Sequence, residues 1–246
     1  MLSVQKVLEK LCVPLLGLII FFALTTFAAY WADQSHWERF LSINWARVFQ
    51  LLDLREEQTS ATWFSSTLFL ITAMGFALLG WGQSKQYNIH IIERYLFKLA
   101  SLALCALSVD ETASIHETIG IWFERQSTLL NDTAFEYISA STTGFSWLLI
   151  FAPIFLLGLA ILVILLYRLI KVIPDNTQRT YAYYYLIFAV LCLPAVLVLE
   201  AWQAHFYALG MIEKQLFAPC LEETCELLGM YFLFRSVLIT TKFYQL

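Results

Sequence analysis

The chain has 246 residues, of which 60% are hydrophobic and 14% charged, with a formal net charge of −4 and a mean hydropathy of +0.68. A soluble domain carries about a quarter charged residues on its water-facing surface, so this composition excludes an ordinary soluble globule. The mildly acidic balance gives no sign of a nucleic-acid partner, and five cysteines without a Cys-x-x-Cys pair exclude a zinc-ribbon site and read as small apolar packing residues.

Six apolar stretches are long enough for a hydrocarbon core of about 30 Å. They predict an all-α, polytopic integral membrane helical bundle with six transmembrane helices, a single transmembrane domain over 1–246. The first, Cys12–Trp31, ends in Tyr30 and Trp31 and is followed by no convincing small-residue cleavage site, so it reads as a membrane helix rather than a signal peptide. Next, Trp37, Phe40, Leu41, Trp45, Val48, Phe49 and Leu52 recur at helical spacing, with Glu38, Arg39, Asn44 and Arg47 on the other face. This pattern predicts an amphipathic helix over Trp37–Leu52 lying in the outer interface. The second and third apolar stretches are Trp63–Trp81 and Tyr95–Thr112. After them, Trp122–Thr142 mixes aromatic and polar residues, a weaker version of the first outer connection. Phe145–Tyr167, Tyr183–Leu199 and Cys220–Ile239 complete the set.

Lysine and arginine orient the bundle. With a cytoplasmic N-terminus, Lys6, Lys10, Lys85, Arg94, Lys98, Arg168, Lys171, Arg179, Arg235 and Lys242 fall on the cytoplasmic side. Arg39, Arg47, Arg55, Arg125 and Lys214 fall outside. That excess is the positive-inside bias, and it places both termini in the cytoplasm. The acids segregate the other way, with only Glu9, Glu93 and Asp175 inside.

Three helices carry ionisable residues at the same outer depth. The third stretch ends with Asp110, Glu111, His116 and Glu117, the fifth with Glu200 and His205, and the sixth begins with Glu222, Glu223 and Glu226. A carboxylate within a membrane helix costs about 2.5–3.5 kcal/mol on insertion scales, so several at one level need a cation, protons or water to offset them. At about 100° per residue, Glu222, Glu223 and Glu226 share an arc of roughly 100° and can face one site. Asp110 and Glu117 lie on nearly one line, whereas Glu111 and His116 diverge. Glu111 and Glu200 each precede a histidine by five residues, but the flanking residues match poorly and the repeat reads as coincidence.

Carboxylates with imidazole suit Fe, Zn or Mn, and helical bundles build di-metal sites from about four carboxylates and two histidines. The expected ligands of a divalent metal are Asp110, His116, Glu200, His205, Glu222 and Glu226. Glu117 and Glu223 are the candidate catalytic residues, as a general base, or else further ligands or partners that orient the ligands, with Thr112 and Ser114 also available to orient ligands. The Glu-x-x-His spacing of ferritin-like sites is absent, as are a Gly-x-Ser-x-Gly, a Walker loop and a dinucleotide fingerprint.

These residues point to a metal-dependent membrane protein, an enzyme acting on a lipid or lipophilic substrate, either a hydrolase or a di-metal oxidase. Its expected partners are membrane lipids and its substrate, with an oligomer allowed. Two alternatives use the same acids: a cation or proton transporter, and a non-catalytic subunit or assembly factor. Against transport, the cytoplasmic halves of the third, fourth and fifth stretches are almost purely apolar, which leaves no visible polar path.

Overall fold

The structure, a computed structural model, describes residues 4–34, 51–54, 59–82, 89–115, 118–119, 122, 146–208 and 212–244. Among these, six long α-helices follow one another: α1 Val4–Gln34, α2 Ser60–Trp81, α3 Ile91–Ala113, α4 Ser146–Lys171, α5 Asn176–Ala208 and α6 Ile212–Tyr244. The chain is thus an all-α bundle of long apolar helices, consistent with a polytopic membrane protein. Four segments are long and apolar enough to cross a membrane: Lys6–Trp31 in α1, Ser60–Trp81 in α2, Phe151–Lys171 in α4 and Asn176–Gln203 in α5. The two helices outside that set are the charged ones. α3 holds Glu93, Arg94, Lys98, Asp110 and Glu111, and α6 holds Glu222, Glu223, Glu226, Arg235 and Lys242 among others.

Several helices outrun the apolar stretch that predicts them, because backbone hydrogen bonding continues into the polar flanks. α6 begins at Ile212 rather than at Cys220, so Pro219 lies inside the helix and Glu222 is well past its first turn. The amphipathic segment Trp37–Leu52 and the region Trp122–Thr142 fall almost wholly outside the described residues. Leu51 and Leu52, the end of the first, are helical. That end docks on α1: Thr25 Oγ1 donates to the Leu52 carbonyl at 3.1 Å, and the Leu54 amide donates to Thr26 Oγ1 at 2.9 Å.

α6 is the central helix, packed against α5, α1, α2 and α4. Its buried residues Leu227, Met230, Phe234, Val237, Thr241 and Tyr244 alternate at spacings of four and three, the seam of a helix covered by neighbours. α1 offers the same pattern in Leu8, Cys12, Leu15, Ile19, Phe22 and Thr26. α5 runs antiparallel to α6, with Tyr185 stacked on Phe232 at 6.1 Å and Ser236 Oγ donating to the Ala182 carbonyl at 3.1 Å. α2 runs parallel to α6, since Ser65 meets Glu226 and Gly75 meets Val237. α4 buries Leu165, Leu166, Leu169 and Ile170 near its C-terminus but exposes Ile154, Leu157 and Ile164, a face suited to lipid contact.

The end of the bundle holding the N-terminus of α1 and the C-terminus of α6 is the basic one. There Arg168 pairs with Glu93 at 3.0 Å and Lys242 with Glu9 at 3.3 Å. Lys98 lies 5.3 Å from the ring centres of both Trp81 and Tyr95, an arrangement typical of a membrane interface. His90 and Glu93 close the N-terminus of α3 as a reciprocal capping box.

Close approach of α2 and α3 depends on Gly80, where an added Cβ would sit 2.9 Å from the Lys98 backbone nitrogen and 2.8 Å from its Cγ. Backbone cannot yield as a side-chain tip can, so Gly80→Ala should cost about 1–3 kcal/mol. Gly158→Ala, with nothing within 4 Å of the new methyl, should be neutral or stabilise by up to about 1 kcal/mol. Thermal unfolding in detergent should separate the two; equal melting temperatures would contradict this packing.

Candidate metal centre

The acidic residues gather at the end of the bundle opposite the ion pairs. α3 arrives with a buried stripe of Phe97, Ala100, Ser101, Leu104 and Ser108, and the next position on that stripe, three residues on, is Glu111. On α6, Glu223 lies seven residues before the buried Met230 and four before Leu227, and Glu226 lies four before Met230. Both helices therefore turn a glutamate inward where their apolar seams end. Glu111, Glu223 and Glu226 each offer a carboxylate oxygen, and these oxygens lie within 4.8 Å of one another.

α2 contributes no acid but supplies a donor. Ser65, almost fully buried, donates its hydroxyl to Glu226 Oε1 at 2.9 Å and stands near the Glu111 carboxylate. Charge-assisted hydrogen bonds of this kind are stronger than neutral ones. The site is thus built by three helices, with Ser65 placed between the carboxylates of α3 and α6.

Other predicted residues surround this core. Asp110 and Glu222 act electrostatically on Glu111, and Glu222 and Glu200 act on Glu223. Glu200 is buried, 8% exposed. Six carboxylates from α3, α5 and α6 therefore share one region. Ser114 ends α3 in the left-handed conformation, φ 46° and ψ 44°, with its amide donating to the Asp110 carbonyl at 2.8 Å. A non-glycine residue adopts that conformation infrequently, and here it turns the chain directly beyond the acids.

The sequence ranks Asp110 above Glu111; of the two, Glu111 belongs to the group of three carboxylates. Asp110 is two residues beyond the buried Ser108, about 200° around the helix, whereas Glu111 is within about 60° of it. His205 lies on the exposed side of α5, its ring 6.0 Å from that of Phe206, and it is not among the grouped ligands. His116 and Glu117 fall outside the described residues. Glu223, read from the sequence as a base, a ligand or a partner of the ligands, stands inside the carboxylate group itself. Sequence reasoning missed Ser65 altogether.

Residues 17–240 match a family described as Domain of unknown function (DUF8692). The chain belongs to that family. All of Ser65, Glu111, Glu223 and Glu226 lie inside the DUF8692 region, as do the flanking Asp110, Glu200 and Glu222. No curated protein and no solved structure matches this DUF8692 chain.

Proposed function

We propose that this DUF8692 chain is a metal-dependent integral membrane enzyme acting on a lipid or other lipophilic substrate, with Glu111, Glu223 and Glu226 as the metal ligands and Ser65 beside them. The observation that carries this reading is the convergence of three carboxylate oxygens within 4.8 Å in a bundle of long apolar helices. Oxygens bound at about 2.1–2.4 Å to one cation lie at most about 4.2–4.8 Å apart, so the group matches the shell of a single ion. Neutralising mutually repelling carboxylates in a low-dielectric site favours occupation by a divalent cation.

Among the described residues the grouped donors are all oxygens, and such a set favours a hard cation. Of Fe, Zn and Mn, it suits Mn best, and Mg or Ca fits the same donors. A divalent cation held there supplies Lewis-acid chemistry, polarising an ester or phosphoester oxygen and acidifying water. Asp110, Glu200 and Glu222 flank the ligands and are the groups available to accept a proton from that water. Hydrolysis has more support than oxidation at two irons, because the ligands grouped among the described residues are three carboxylates without imidazole, not about four with two histidines. The position of the site at one end of an apolar bundle suits a substrate that enters from the bilayer. In this reading α3 and α6 cross the membrane beside the four more apolar helices, and both termini are cytoplasmic.

Reporter fusions to the two termini should register cytoplasmic locations, and a connection reporter near Asn131 the opposite side; reversed signals would overturn the orientation. For the metal, the chain purified without chelator should titrate with about one equivalent of Mn²⁺. A Glu111→Gln/Glu226→Gln variant should bind about tenfold more weakly or not at all, and a His116→Ala/His205→Ala variant should bind like wild type. Wild-type protein that takes up no stoichiometric metal would instead indicate a proton-sharing carboxylate cluster, and loss of binding in the histidine variant would move the ligands onto imidazoles.

A further inference from the structure

We infer that the Ser66–Ser108 pair is a positioning device that fixes the register of α2 against α3 and thereby sets Ser65 between Glu111 and Glu226. The inference rests on the reading of the three glutamates as a metal centre and adds the residues that hold it in shape. Ser66 Oγ donates to the Ser108 carbonyl at 2.8 Å, and Ser108 Oγ donates to the Ser66 carbonyl at 2.9 Å. Both serines are buried. The two hydroxyl oxygens also lie 2.8 Å apart, so each hydroxyl, with its one proton, is within reach of the other helix's carbonyl and of the other hydroxyl, and the contact is reciprocal.

The pair belongs to a longer seam. Seven residues along α2 from Ser66 is Ala73, whose carbonyl accepts from Ser101 Oγ at 2.9 Å. Ser101 is seven residues before Ser108. Seven further along α2 is Gly80, where an added Cβ would lie 3.2 Å from the carbonyl oxygen of Arg94, again seven residues before Ser101. Three contacts at heptad spacing therefore hold one antiparallel register, with small residues that let the backbones approach.

Register matters here because apolar helix faces in a membrane resist sliding only weakly, whereas hydrogen bonds are directional. Ser65 is the neighbour of Ser66, and Glu111 is one turn beyond Ser108. A slip of one turn moves Ser65 by about 5.4 Å along α3, far more than the 2.9 Å contact to Glu226 can absorb. Adjacent serines on α2 thus divide two tasks: Ser66 grips α3 while Ser65 meets the carboxylates.

The test uses the full chain in detergent and titrates Mn²⁺ into wild type, Ser66→Ala, Ser108→Ala, the double variant and Ser101→Ala, with Mn²⁺ electron paramagnetic resonance as the second readout. Each single variant at 66 or 108 keeps one of the two hydroxyl-to-carbonyl bonds. Their affinities should stay within about threefold of wild type, with an altered spectral line shape, while the double variant should lose about tenfold or more. Ser101→Ala, farther from the site, should keep both affinity and line shape. A folded double variant with wild-type affinity and spectrum overturns the inference, even if its melting temperature falls. Should the double variant fail to fold, unchanged line shapes in both single variants overturn it and altered ones support it. Absence of Mn²⁺ binding by wild type removes the centre itself and the inference with it, a result distinct from binding that survives the double substitution.

Discussion

Carboxylates gathered, half-buried, at the end of an apolar bundle set the terms for the rest of this fold. Insertion into a membrane helix is costly for each acid, and the cost grows when several share one level, because their repulsion is poorly screened there. Glu111, Glu223 and Glu226 nevertheless converge to within 4.8 Å, with Asp110, Glu200 and Glu222 in electrostatic range. An assembly of this kind needs a cation, protons or water to offset it. The helices that carry it, α3 and α6, are the two that fall short of the apolarity of a membrane span, and α6 is covered by four of the other helices.

The two ends of the bundle differ in how they handle charge. At the basic end, acids and bases meet as ordinary pairs, Arg168 with Glu93 and Lys242 with Glu9. Deeper on α6, Arg235 rests 5.1 Å from the Tyr185 ring centre and reaches its hydroxyl at 3.5 Å. At the other end the grouped side chains are carboxylates and serine hydroxyls. Ordinary pairs need little beyond proximity, whereas a group of like charges needs its backbones held at fixed separations. The α2–α3 seam and the parallel register of α2 on α6 provide that constraint through small residues and hydroxyls.

The helical class, the six long helices and the shared depth of the acids were all legible in the sequence, because apolar length and charge position are strong signals. Helical angles alone put Glu223 and Glu226 on one arc, and the structure brings both into the group. Glu111 was legible only through the stripe Phe97, Ala100, Ser101, Leu104 and Ser108, which points to it three residues later; pairing it with His116 obscured that signal, since those two diverge on the helix. Ser65 carried no signal of its own, because serine in an apolar helix most often bonds within its own helix, as Thr72 does with the Leu68 carbonyl. Its role emerges only from the tertiary register that brings α2 beside Glu226.

The central claim is that these three glutamates ligate one divalent cation. An experimental structure of the chain loaded with Mn²⁺, with anomalous scattering recorded to locate manganese, tests it most directly. The account predicts one anomalous peak about 2.1–2.3 Å from carboxylate oxygens of Glu111, Glu223 and Glu226. Manganese found at another place, or a well-ordered glutamate group with no anomalous peak at saturating Mn²⁺, would contradict it.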